Sequence, residues 1–390
     1  MRRLRRCKSD AEVKRFMDLN ELREGIDAID NEILSLFLKR MELCRSVADY
    51  KKEHSLPVFQ GGREQQIIDR IKEKTADASL EDGTANLFTT IMDISKLLQN
   101  RKLLADAPDF SFSAPHFDTA ERIGCQGMAG ANSETAAATL FGEKPVTFLR
   151  TFEDVVSAVA DGTLEYGILP VRNSTAGTVA AVYDLLSEYP VNIAGAVTVD
   201  IDHCLAARTD MPLSEISCVY SHPQALAQCG GFLRKNCLRT ADSLNTAAAA
   251  EMVSESGDDE KLAAVCSARC AERYGLKILS RDIADCPVNR TGFICISRSL
   301  EVAPDADTVA VMLKIPHKLG SLSRLLTKFS VNGMNLTRIE NRPVRDGSFD
   351  VMFCLEFDGK ITDSSVKTLL CGLSSDLEYF RLLGNYRNFT

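Results

Sequence analysis

From Leu19 onward, apolar residues recur at Leu19, Leu22, Ile26, Ile29, Ile33, Leu36, Leu43 and Val47. This three-and-four spacing marks one face of a helix. The position that continues the stripe between Leu36 and Leu43 is Arg40, and a cation on a buried stripe is costly unless it meets an anion. Lys51 falls within about 20° of Arg40 at ~100° per residue, so two cations share one inward face. Residues 16–104 read as all helix, broken only at Ser55–Gly62. The run from Leu19 to about Glu53 is long for a globular helix and points to an interlocked helical dimer. Arg23 lies about 100° from Arg40 by the same arithmetic and is placed to serve a partner's pocket. Arg63 and Glu64 open a second helix, and Ser95 and Gln99 share one face of a third.

The pattern then changes. A stretch punctuated by Pro108 and Pro115 reads as a linker, residues 106–119. Between 120 and 300, short β-rich runs (Ile123–Cys125, Val146–Leu149, Tyr166–Pro170, Ile216–Tyr220, Phe293–Ile296) alternate with Ala-rich helical stretches, which predicts an open α/β domain. Residues 306–390 predict strands at Val309–Ile315, Met334–Ile339, Phe349–Phe357 and Tyr379–Leu383, with helices at Ser321–Ser330 and Ser364–Leu377. That order, βαββαβ, is ferredoxin-like. The fold class expected is therefore multidomain: an all-α domain (16–105), an α/β domain (120–300) and an α+β domain (306–390).

Composition narrows the function classes. The 390 residues carry a net charge of -8, which argues against nucleic acid as the main ligand. No apolar run approaches the ~20 residues of a membrane span. Met1–Arg6 is basic, but the charged stretch Lys8–Arg15 leaves no signal-peptide core, so a cytoplasmic protein is expected. The 13 cysteines are odd in number and scattered, which fits reduced thiols. Cys266 and Cys270 sit in an Ala-rich stretch read as helical, as buried thiols and not as a metal site. With no P-loop, dinucleotide fingerprint or metal cluster, no cofactor and no metal are expected.

The helical segment resembles the all-helical chorismate mutase family in Leu22-Arg23-Glu24, Ile26, Ile29-Asp30, Arg40, Leu43, Lys51, Pro57-Val58, Arg63-Glu64 and Ser95 to Gln99. The resemblance implies an entwined dimer. Arg23 from one chain, with Arg40, Lys51 and Arg63 from the other, would hold the carboxylates and ether oxygen of chorismate. Glu64 would bind the ring hydroxyl and Gln99 would donate to the ether oxygen, with Ser95 in the same site. A Claisen rearrangement needs a held conformer and donors aimed at the breaking C–O bond, which cations and amides supply. The family usually carries Asp where this chain has Gln60.

In the α/β segment, polar strings follow strand ends, where such domains place ligands: Gly127–Ala136, whose free N–H groups favour an anion, Leu169–Thr178, Tyr220–Gln224 with Gln228, Asn245–Ala247 and Asn289–Phe293. Together, with Asp184 and His203, they resemble the prephenate dehydratase family. The resemblance implies two lobes with prephenate between them and Thr291 as the catalytic threonine. Asn173, Ser174, Ser221, Gln228 and Thr246 would bind substrate. The family reads Glu-Asn at Arg172-Asn173 and Thr-Arg-Phe at Thr291-Gly292-Phe293. Two readings stand open: Arg172 relocates the lost guanidinium and meets a substrate carboxylate, or the domain binds without turnover.

Finally, Pro316–Ser323, around Gly320, Ser321 and Leu322, and Glu340-Asn341-Arg342-Pro343 resemble the signatures of the ACT domain attached to these dehydratases. The implied effector is phenylalanine, bound by those seven residues between paired domains. The whole reads as a bifunctional enzyme acting on chorismate and prephenate, a homodimer or homotetramer with no nucleic-acid or membrane partner. The alternative is an active mutase fused to an impaired dehydratase-like binding domain.

Overall fold

A computed structural model describes residues 18–54, 56, 61–103, 110–318, 320–343 and 351–389. The basic N-terminal tail, Pro57-Val58, Gln60 and part of the linker lie outside the described residues. The chain divides into two compact units, 1–105 and 106–390.

The first unit is helical: α1 (Leu19–Glu53), α2 (Gly61–Lys74) and α3 (Glu81–Leu103). Asp18 and Glu21 form a capping box that starts α1, satisfying amides the helix itself cannot. The expected buried stripe is corrected here. Its eight apolar residues are 45% to 69% exposed. The residues that pack inward are Met41, Ala48 and Lys51, which are buried, and Arg40 and Cys44, which are half-buried. Arg40 and Lys51 keep their angular place on the stripe, but they sit on the C-terminal part of α1, where they are half-buried and buried. A helix of 35 residues is about 52 Å long, and among the described residues only its C-terminal half finds apolar cover.

The second unit begins with β1 (Ile123–Gln126), β2 (Thr147–Leu149), β3 (Tyr166–Asn173), β4 (Gly177–Thr178) and β5 (Asn192–Asp200), interleaved with α4 (Asn132–Phe141), α5 (Phe152–Ala160) and α6 (Ala180–Glu188). The chain then leaves to build a separate five-stranded sheet from β6 (Cys204–Ala207), β7 (Cys218–Ser221), β8 (Thr240–Asp242), β9 (Leu262–Cys266) and β10 (Lys277–Ser280), with α7 (Pro223–Gln228), α8 (Gly230–Lys235), α9 (Thr246–Glu255) and α10 (Ala268–Arg273). It returns as β11 (Arg290–Ser297), which inserts between β5 and β3. Two crossings between two sheets make two lobes.

The remainder runs β12 (Thr308–Ile315), α11 (Ser321–Val331), β13 (Leu336–Pro343), β14 (Val351–Asp358), α12 (Ser364–Asp376), β15 (Tyr379–Tyr386). This is the expected βαββαβ order, in one antiparallel sheet ordered β13-β14-β12-β15. A last strand, β16 (Asn388–Phe389), joins the first lobe's sheet beside β5. Ala310, Met312, Cys354 and Leu383 of the C-terminal sheet share a core with Leu169, Val171, Ile294 and Ile296 of the first lobe. Cys266 ends a strand and Cys270 lies in α10, which corrects the single helical stretch expected there; both are fully buried.

Candidate active sites

In the helical unit, polar side chains from all three helices converge. Arg40 donates to Ser95 Oγ at 2.5 Å, and that hydroxyl donates in turn to the Ile91 carbonyl. Lys51, buried on α1, is held below the usual lysine range by desolvation, partly offset by the Glu64 and Cys44 charges. Glu64 on α2 pairs with Lys96 on α3 at 3.2 Å, and Lys96 also meets Asp93 at 2.8 Å. Gln99 is buried; its Nε2 donates to the Ser95 carbonyl and its Oε1 has no partner. Lys96 and Asp93 were not foreseen: their helical spacing resembles any surface ion pair. Arg63 is exposed next to Glu64. Arg23 is exposed on the uncovered half of α1, 17 positions and therefore about 25 Å from Arg40. Those two cannot share a pocket within one chain.

In the second unit, the polar centre forms where β3 and β11 end side by side. Thr291 and Asn173 are cross-strand partners. Asn173 Oδ1 accepts from the Thr175 and Ala176 amides, both at 2.9 Å, and from Thr175 Oγ1 at 2.6 Å. Backbone amides can only donate, so Asn173 must present its NH2 on the other side. That NH2 donates to Thr291 Oγ1 and to Asn289 Oδ1, each at 2.9 Å. Asn289 donates to Gln228 Oε1 at 3.1 Å, and Gln228 Nε2 donates to Thr175 Oγ1. The ring of Asn173, Thr175, Gln228 and Asn289 is closed, and every donor runs in one sense. His203 Nε2, 2.8 Å from Gln228 Oε1, is the donor, because that oxygen can only accept. His203 is buried and its Nδ1 has no partner. Thr291 Oγ1 receives a hydrogen bond from Asn173, and no acceptor for its own proton is found among the described residues.

The other expected ligands divide. Ser174 Oγ is occupied by the Arg290 amide at 2.9 Å. Thr246 opens α9 behind the capping Asn245. Ser221, expected as a substrate ligand, is fully buried and gives its hydroxyl to the Val265 carbonyl at 2.6 Å. The Gly127–Ala136 turn also differs from expectation: the Gly130 amide is already bonded to Glu134. Arg172 stands apart from this centre. It lies one residue from Asn173, and neighbours on a strand face opposite sides. Its side chain lies across Gly292, facing the C-terminal sheet and not Thr291.

Comparison with known proteins bears on both sites. Residues 22–100 match the chorismate mutase type II family and residues 123–301 the prephenate dehydratase family. A bifunctional chorismate mutase/prephenate dehydratase of Stutzerimonas stutzeri is 30% identical over 94% of this chain and 97% of its own length. The chain belongs to the bifunctional chorismate mutase/prephenate dehydratase family. The prephenate dehydratase of Arthrobacter aurescens, solved with L-Phe, is similar to 68% of the chain and 89% of its own, with 29% identity and a TM-score of 0.62. The quorum-quenching acylase GqqA is similar over 68% of the chain and 97% of its own, at 30% identity and a TM-score of 0.62.

Within this bifunctional framework, the C-terminal signature residues fall on two sides of β13. Burial alternates along the strand. Arg338 donates to Tyr183 Oη at 2.9 Å and to Glu356 at 3.1 Å. Glu340 accepts from Thr178 at 2.7 Å. Arg342 forks onto Asp184, both bonds at 2.9 Å. Glu340 and Arg342, expected among the effector ligands, bind the dehydratase lobe here. Asn341 and Pro343 are exposed on the opposite side. Gly320 caps α11 with a φ of 78°, a left-handed conformation that favours glycine, ahead of Ser321 and the 41% exposed Leu322. The fork between Arg342 and Asp184 is four-fifths buried, and bidentate pairs of this kind are the stronger ones. A double-mutant cycle on Arg342→Ala and Asp184→Ala is expected to give a coupling of about 1–2 kcal/mol in thermal unfolding. Strict additivity of the two losses would make the fork a spectator.

Proposed function

We propose that the chain rearranges chorismate to prephenate in the helical unit and converts prephenate to phenylpyruvate at the Thr291 cleft. The carrying observation is the fixed polarity of the Asn173–Thr291 bond. In the second reaction the carboxylate C–C bond breaks, its electron pair aromatises the ring, and the ring C–O bond breaks. Carbon dioxide leaves, and the departing oxygen takes up one proton to become water. A hydroxyl whose lone pair is engaged by Asn173 and whose own proton has no acceptor among the described residues is suited to assist that departing oxygen, and aromatisation supplies much of the driving force. In the first reaction no group is transferred. Arg40, Lys51 and Gln99 supply charge and donors at the converging helices.

We read 16–105 as the mutase, 120–300 as the dehydratase and 306–390 as an ACT regulatory domain, in a cytoplasmic homo-oligomer. The uncovered stripe of α1 supports the oligomer. Covering its eight residues gains roughly 1 kcal/mol each for the surface still exposed. Doubled over two chains, that is comparable to or larger than the ~4–15 kcal/mol cost of association. No described helix is long and apolar enough to cross a membrane. Phenylalanine is the effector this reading assigns, approaching the outer side of β13 while Arg338, Glu340 and Arg342 hold the inner side. Feedback then requires unequal affinity for two states of that contact.

The test is an assay of the purified chain with chorismate, following prephenate and phenylpyruvate with and without phenylalanine. Both products are expected, the second suppressed by phenylalanine. Prephenate accumulating with no phenylpyruvate would overturn the dehydratase half and leave a mutase joined to a binding module.

A further inference from the structure

A cavity of about 230 Å³ lies between the first lobe's sheet and the C-terminal sheet. Its floor is the cross-strand pair Arg172–Gly292. A Cβ built on Gly292 would stand 2.9 Å from Arg172 Nε and 3.0 Å from its Cγ. The arginine thus occupies the room that the missing side chain leaves. Across the cavity stands Arg338, already engaged by Glu356 at 3.1 Å and by Glu340 at 3.8 Å. Glu340, behind it, is held by Thr178. Arg172 has no acidic partner among the described residues. The lining therefore carries two guanidinium groups and one carboxylate, with Thr198 and Asn388 adding neutral hydrogen-bonding groups.

We propose that this cavity is a binding site for a small polyhydroxylated carboxylic acid, separate from both catalytic centres. The carboxylate takes the free fork of Arg172, the geometry in which arginine binds such groups most strongly. The hydroxyls meet Thr198 and Asn388. A cavity of about 230 Å³ has room for a single compact molecule. A long apolar chain does not match a lining of this polarity. Because the walls come from the catalytic sheet and the C-terminal sheet together, an occupant ties the two. The assignment rests on the cavity and Arg172 alone and stands whether or not the Thr291 cleft turns over prephenate.

Isothermal titration of the full chain with quinate, a polyhydroxylated monocarboxylate, tests it. Inositol serves as the uncharged control and benzoate as the apolar one. Quinate is expected to bind in the millimolar range or better, and inositol and benzoate at least about tenfold more weakly. Arg172→Gln is expected to weaken quinate by about tenfold or more, the loss of a charge-assisted pair. Gly292→Ala is expected to do the same by unseating Arg172 while keeping its charge, and it carries the test should Arg172→Gln not fold. No heat from quinate up to about 10 mM, affinity unchanged in both variants, or benzoate binding as tightly as quinate would each overturn the proposal.

Discussion

Thr291→Ala is expected to lower kcat for phenylpyruvate formation by about 10²–10³-fold, with little change in KM for prephenate. The size follows from the hydrogen-bond directions around Asn173. Three donors saturate its Oδ1, so its NH2 must donate to Thr291 Oγ1. Alanine removes the hydroxyl that Asn173 holds and leaves the ring of Asn173, Thr175, Gln228 and Asn289 standing. Thr291→Ser keeps the hydroxyl and is expected to remain within about tenfold of the wild type. Mutase activity, in a separate compact unit, is the internal control and should not move. A fall of less than about fivefold in the alanine variant, with the mutase intact, would remove Thr291 from the reaction.

The second large effect is a rescue. Arg23→Ala and Arg40→Ala are each expected to lose mutase activity by at least about 10²-fold, as charge stabilisers of a transition state do. About 25 Å of helix separates the two positions in one chain, so a site that uses both draws them from two chains. In a mixed dimer of the variants, one site carries both lesions and the other carries neither. Random re-pairing makes half the dimers mixed, and half the sites in those are intact. Activity should return to about a quarter of the wild type on mixing and re-pairing, as symmetry of the interface requires. Measuring initial rates before and after reversible unfolding of the mixture reads this directly. Recovery that never rises above the two single variants would mean that Arg23 and Arg40 do not meet across an interface, and that the exposed stripe of α1 is covered by something else.

Much of this was legible in the residues. The long helix and the βαββαβ order rest on strong local signals, namely regular apolar spacing. The Asn173, Gln228 and Thr291 set comes from polar strings that are weak singly and gain meaning only through the resemblance to the dehydratase family. What was missed has physical causes. The strands Asn192–Asp200, Cys204–Ala207 and Leu262–Cys266 are rich in Ala and Gly, which have little β preference; the five-stranded and seven-stranded sheets supply the pairing that holds them extended. The expectation for Arg172 treats it as a replacement for the guanidinium missing at Gly292, whereas a strand sends Arg172 and Asn173 to opposite sides. The role of His203 depends on Gln228, 25 positions away, and no local spacing carries such a contact. Glu340 and Arg342 were read toward a ligand. Their partners, Thr178 and Asp184, are more than 150 positions distant, and only the packed C-terminal sheet brings them together.

The placement of β11 also sets the order in which this protein can be made. β11 lies between β5 and β3, yet it leaves the ribosome only after the whole second lobe. Until then the first lobe has an open seam down its middle, where β5 and β3 each lack a neighbour. The second lobe, contained between Ile201 and Asn289, has all its strands at hand and can close on its own. Nascent first-lobe strands therefore wait with unpaired edges, the condition in which chains mispair most readily. Asn173 and Thr291, 118 positions apart, meet only when that seam closes, so the chemistry becomes possible only after the second lobe has been made and not before.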